Sequence, residues 1–125
     1  AYRTVSDVAM NADPYTGVYV AFTPAGASSA SWYTFGGTSL ATPMWAATVA
    51  IANAKRAAKA KGTLDAPHAP LYALLGGSSY ATHFNDINTG VNGACAACAA
   101  TSNYDIPTGL GTPNVSALVT TLAAY

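Results

Sequence analysis

The residue best placed to do chemistry in this sequence is Ser39. It lies in Gly36-Gly37-Thr38-Ser39-Leu40-Ala41-Thr42-Pro43, just ahead of a run from Met44 to Lys61 that reads as one long helix. A serine between a glycine pair and the first turn of a helix holds its hydroxyl at the electropositive helix end. Free backbone N–H groups there can face a developing negative charge. That setting suits a nucleophile attacking a carbonyl carbon. Gly-Thr-Ser is also an ordinary loop and N-cap, so the tripeptide alone does not decide.

A second constellation lies further along. His83-Phe84-Asn85-Asp86-Ile87 and Tyr104-Asp105-Ile106-Pro107-Thr108-Gly109-Leu110-Gly111 bracket a loop of Gly, Asn, Ala and Thr. Two carboxylates near the ends of one irregular loop suit a hard cation, because loop carbonyls can turn inward to complete an oxygen shell. Aspartates in loops also make turns and caps. Asp7 and Asp13 could be paired for acid–base work, but the Asx-turn habit of Asp favours turn and loop stabilisation. His83 adjoins the Asp86 loop and reads as a packing residue rather than a base for Ser39, and His68 sits in a proline-rich linker.

Cys95-Ala96-Ala97-Cys98 holds both cysteines of the chain. A redox motif needs a strand before it and a helix after it, whereas the flanks here have loop composition. Zinc would need two further ligands, and His68 and His83 are too far apart for finger spacing. A local disulfide is expected, with buried thiols or metal and redox chemistry as alternatives; a disulfide would point to an oxidising compartment.

The elements that must position these groups follow from pattern. Val5–Met10, Val18–Phe22 and Ser31–Phe35 are strand candidates, with turn chemistry between the first two at Asp13-Pro14 and Gly17. Residues from Met44 to Ala54 are apolar on nearly every face, as in a helix buried within a larger body. Lys55, Arg56, Lys59 and Lys61 meet the negative helix end, and Gly62 is the expected stop. Pro43 predicts a late helix start or a mild kink. Pro70–Leu75 reads as a short helix. A last helix is expected to open at Thr112-Pro113, with Val115, Leu118, Val119 and Leu122 on one inward face.

Composition bounds the partners. Only 8% of the 125 residues are charged and 51% are hydrophobic, against about a quarter charged in an ordinary soluble domain. So little charge on so small a body suggests that another chain covers much of its surface. A formal net charge of zero gives no electrostatic footprint for nucleic acid or an anionic membrane, and no apolar run has the length of a bilayer span. The chain opens at Ala1 without a signal-like stretch and reads as a processed or excised piece.

The string Gly37-Thr38-Ser39-Leu40-Ala41-Thr42-Pro43 with its Ala-rich helix resembles the nucleophile region of the subtilase clan. Gly36-Gly37-Thr38-Ser39 with Pro43-Met44-Trp45-Ala46 is similar to its sedolisin branch, the serine-carboxyl peptidases. Arg3–Ala9 and Ala12–Gly17 also resemble the segment upstream of the sedolisin serine, with Ser6 where proline is usual. Phe84–Ile87, Tyr104-Asp105 and Thr108–Gly111 resemble the sedolisin calcium loop.

The resemblance implies an α/β fold: a subtilisin-like three-layer arrangement with a mostly parallel sheet, present here as its carboxy-terminal fragment. Residues 1–125 would then be the last part of one peptidase catalytic domain. Within it, 1–38 would be strands and loops, 39–62 the nucleophile helix, 63–82 a linker and short helix, 83–111 the calcium loop and 112–125 the terminal helix. It further implies a calcium ion held by the carboxylates of Asp86 and Asp105 and the carbonyls of Ile87, Thr101 and Asn103. Glycine is usual at the last two carbonyl positions, so the site requires that Thr101 need no positive φ, while Asn tolerates it.

By the same resemblance Ser39 would be the nucleophile of a secreted, extracellular endopeptidase acting on protein or peptide at acidic pH. A glutamate would serve as its base, an aspartate would orient that glutamate, and another aspartate would stand at the oxyanion hole. A carboxylate base stays deprotonated in acid where histidine is already charged. All five acidic residues of this chain are Asp: Asp7, Asp13, Asp65, Asp86 and Asp105. None matches the base, its orienter or the oxyanion aspartate, so the resemblance requires an amino-terminal companion chain of the same precursor. The alternatives are a non-catalytic, calcium-stabilised binding or structural module, and a CxxC redox protein.

Overall fold

A computed structural model describes residues 6–125 of the chain. Its architecture grows from α1 (Thr38–Ala57), which packs against α4 (Val115–Ala124). The i, i+3, i+4, i+7 pattern of α4 works as expected: Leu118, Val119 and Leu122 are buried, while Val115 is 38% exposed. They meet Ala52 of α1 in a core completed by Leu71 and Leu74, by Tyr80 and Phe84, and by Leu110. Leu71 belongs to α2 (His68–Tyr72), and Tyr80 opens α3 (Tyr80–His83). Thr112–Pro113 form the short strand β4 instead of opening the last helix. The helix starts two residues later, behind Asn114 as its cap.

A hairpin precedes α1. β1 (Val18–Phe22) pairs antiparallel with β2 (Ser31–Phe35), Val18 opposite Phe35 and Phe22 opposite Ser31. Val18, Val20, Phe22, Tyr33 and Phe35 share one face, where Phe22 meets Tyr33 and Phe35 with ring centroids 4.5 and 5.6 Å away. Tyr19 and Trp32 stand on the other. Every residue of both strands is exposed.

The three-layer subtilisin-like fold with a mostly parallel sheet is not formed. Among the described residues there are two sheets, both two-stranded and antiparallel: β1 with β2, and β3 (Phe84–Asn85) with β4 (Thr112–Pro113). The reason lies in the connections. A parallel pair needs a crossover of a dozen or more residues, whereas residues 23–30 turn β1 directly into β2. The expected strand Val5–Met10 begins outside the described residues. Its part from Ser6 to Met10 belongs to neither sheet and bonds by backbone to Leu110 and Gly111.

The long helix differs from expectation at both ends and on its faces. It starts at Thr38, before Pro43, which lies inside it. The imino nitrogen leaves the Ser39 carbonyl without its usual i+4 donor. Within α1 only Thr48 and Ala52 are buried, so the apolar residues around its circumference lie largely uncovered by this chain. Its stop is not Gly62 but Ala60, at φ 55. The Lys61 N–H bonds the Arg56 carbonyl and the Ala60 N–H that of Ala57, the 6→1 and 5→2 pair of a Schellman motif. Lys61 Nζ and Arg56 Nη1 tie this end to the Ala124 and Leu122 carbonyls of α4.

An L-residue in the left-handed region is strained by roughly 1 kcal/mol, and Ala60 is exposed with no packing role. Ala60→Gly should therefore stabilise the chain by about 1 kcal/mol, read as a higher urea midpoint with unchanged slope. A lower midpoint would contradict this account of the helix end.

Candidate functional site

Ser39 is the second residue of α1 and is exposed. What holds it is the turn before it. Gly37 takes φ 88 and gives its N–H to the Ala12 carbonyl. A Cβ on Gly36 would collide with the backbone of Asp13 and Pro14, so both glycines are needed for two backbones to lie against each other. The facing turn is self-contained. Asn11 Oδ1 accepts from the Asp13 N–H, Asp13 Oδ1 from the Tyr15 N–H and Asp13 Oδ2 from the Thr16 hydroxyl. Asp13 is thus a turn residue.

No described residue hydrogen-bonds the Ser39 hydroxyl. A hollow at the start of α1, about 280 Å³, is lined by Val8, Met10, Thr38, Ala41, Thr42 and Trp45, with no acid or imidazole among them. Each acid of the chain is engaged elsewhere. Asp7 accepts from Tyr72 Oη at 2.6 Å and lies 3.6 Å from His68 Nε2; Asp65 accepts from Thr63; Asp86 and Asp105 are in the loop. His83 is buried, its Nδ1 2.8 Å from the Ser79 carbonyl and its Nε2 2.7 Å from Thr121 Oγ1, as a packing residue should be.

The loop's own backbone holds both carboxylates. Asp86 Oδ2 accepts from the Asn103 N–H at 3.0 Å and Oδ1 from Tyr80 Oη at 3.2 Å. Asp105, 6% exposed, accepts from the Thr101 N–H on Oδ2 and from the Thr108 N–H and hydroxyl on Oδ1. Both act on one phenol. Tyr80 is pushed up to about 12 by its burial first, then by the charge and hydrogen bond of Asp86 and the charge of Asp105. Asn103 takes φ 67 and Thr101 is not among the positive-φ residues, as the resemblance requires. Ile87 follows Asp86, half-buried.

These residues fit a hard cation. A carboxylate offers about four acceptor sites, and with two bonds on Asp86 and three on Asp105 both keep lone pairs free. Neither has a basic partner among the described residues, and a buried carboxylate is costly without a counter-charge. No three of His, Cys, Asp and Glu converge among the described residues, so carbonyls would complete the shell. Cys95 and Cys98 are bonded to each other and offer no thiolate. Tyr80 escaped the sequence reading, and Thr108 was read as part of the loop motif but without its bonds to Asp105. Asp105-x-x-Thr108 is a turn spacing that could have revealed those bonds, whereas nothing in the spacing marks Tyr80.

The comparisons point to one class of protein: the chain is related to peptidases. It is 40% identical over 86 residues to tripeptidyl-peptidase sed1 of Aspergillus fumigatus, covering 67% of this chain and 12% of that protein. The chain thus spans a small part of the curated relative it matches. No family model matches the chain. No solved structure matches it.

Gly109 ties the loop to the Ser39 side. At φ 61, a Cβ there would strike the Asp7 carbonyl and the Val8 nitrogen, whereas one on Gly62 meets nothing. Gly109→Ala should cost about 3 kcal/mol, from overpacking plus left-handed strain, while Gly62→Ala shifts stability by less than about 0.5 kcal/mol. Chemical unfolding of both variants checks this, and equal midpoints would refute it.

Proposed function

We propose that this chain is the serine-bearing, cation-binding segment of a sedolisin-type serine-carboxyl endopeptidase, completed by an amino-terminal companion chain of the same precursor. The observation that carries the reading is Ser39 exposed in the first turn of α1 behind a two-glycine turn, in a chain related to a tripeptidyl-peptidase. The Ser39 oxygen attacks the carbonyl carbon of a peptide bond while its proton passes to a glutamate carboxylate of the companion, itself oriented by an aspartate. The carbonyl oxygen gains the negative charge, faced by a companion aspartate in its protonated form and by first-turn N–H groups. The C–N bond then breaks, the proton goes to the departing amine, and water hydrolyses the acyl-serine by the same route. An ordinary Glu titrates near 4.3 and His near 6.5, so such a base works in acid.

Asp86 and Asp105 through carboxylates, and Ile87, Thr101 and Asn103 through carbonyls, would hold a calcium ion. The ion supplies a fixed positive charge that pins the loop. The Cys95–Cys98 disulfide suits a secreted, extracellular protein.

Ser39→Ala in the assembled protein should lower peptide hydrolysis on the order of 10⁶-fold while leaving assembly intact. Turnover retained in that variant, or shown by the purified 125-residue chain alone, would overturn the assignment. Removing calcium with a chelator should lower the melting temperature of the assembled protein, and Asp105→Asn should abolish that difference. A melting temperature indifferent to chelator removes the cation from the proposal and leaves Ser39 standing.

A further inference from the structure

Resting on the cation site proposed above, we infer that Tyr80 is its positioning residue, orienting the Asp86 carboxylate and linking it to the turn that holds Asp105. The phenol is fixed before it touches the site. Tyr80 opens α3, is 7% exposed and stacks on Phe84 at 5.7 Å. The other end of α3 is anchored where His83 bridges the Ser79 carbonyl and Thr121. Its oxygen lies 3.2 Å from Asp86 Oδ1 and 3.0 Å from the Leu110 carbonyl.

One hydroxyl proton thus faces two acceptors. Given to Asp86, it sets the carboxylate plane and leaves Oδ2 to the Asn103 N–H. Leu110 continues the turn in which Thr108 holds Asp105 Oδ1 through both its N–H and its hydroxyl. The Tyr80 oxygen, placed between Asp86 Oδ1 and the Leu110 carbonyl, thus gives the two carboxylates a single rigid support.

Outer partners of ligating carboxylates typically change metal affinity 10–100-fold. Tyr80→Phe keeps the ring in the core and removes only the hydroxyl. In the assembled protein freed of metal, calorimetric titration with calcium should show roughly 10-fold weaker binding or more. Terbium(III) in the same site should emit under tyrosine excitation, and that sensitised emission should fall in the variant even at saturating terbium. Tyr72→Phe is the control: it removes another phenol-to-carboxylate bond, to Asp7, and should leave calcium affinity unchanged. Equal affinity in Tyr80→Phe and the parent overturns the positioning role alone, as does an equal loss in Tyr72→Phe. A parent protein that binds no calcium overturns the site and this inference with it.

Discussion

Everything at the candidate site depends on the backbone of residues 6–12, which runs between the loop and the start of α1 and is hydrogen-bonded to both. On the loop side, the Leu110 N–H donates to the Asp7 carbonyl at 2.8 Å and the Ala9 N–H to that of Gly111 at 2.9 Å. Ser6 is held by Tyr104 and by the Pro107 carbonyl. On the helix side, Trp45 Nε1 donates to the Ala9 carbonyl at 2.9 Å and the Gly37 N–H to that of Ala12. Backbone groups admit no substitution of chemistry, so the geometry is protected by the residues that let them approach: Gly109 against Asp7, Gly111 against Asn85 and Gly36 against Pro14. The glycines of Thr108-Gly109-Leu110-Gly111 are therefore spaced by where two neighbouring backbones pass.

The uncovered apolar surface has a different cause. The core is concentrated where α1 meets α4 and the 71–84 segment, leaving Met44 and Ile51 on α1 exposed together with both faces of the hairpin. An isolated two-stranded hairpin is marginal in water, and a helix apolar all round is characteristic of one buried on all sides. Charged residues do not take up the free faces, because the chain has so few. A companion chain of the kind proposed for the serine chemistry would cover such a surface.

Local elements were legible and their assembly was not. The two hairpin strands, the inward face of α4, the Asp13 turn and the disulfide could each be read from a few adjacent residues whose chemistry is satisfied within the segment. Ser39 at the mouth of a helix and Asp86 with Asp105 in one loop were readable because motif spacing carries them. The parallel three-layer sheet was inferred from resemblance, and it failed because what decides pairing is the length of the link between β1 and β2. Ala60 as the helix stop was hidden because Gly62 is the residue that accepts positive φ without strain. The 6–12 tie and the Tyr80 bond to Leu110 were hidden because they act across long sequence separations, where a hydroxyl or a carbonyl leaves no local pattern.

The loop between Asp86 and Asp105 shows why a clip at its ends matters more than the disulfide inside it. Ordering backbone costs about 1–2 kcal/mol per residue, and this stretch contains only a 3₁₀ turn at Ala96–Cys98 and a single bridge between Val91 and Ala99. The Cys95–Cys98 bond spans a sequence separation of 3, and so short a ring removes only about 2 kcal/mol of chain entropy from the unfolded state. Hydrogen bonds to charged groups contribute about 1.5–3 kcal/mol each, and here they sit at the loop's two ends, on Asp86 and Asp105. The closure advantage grows with the length enclosed. A cation gripped by both carboxylates would therefore close the whole loop at once, where the disulfide closes only its tip, and the same grip would reach Ser39 through Leu110, Asp7 and Ala12.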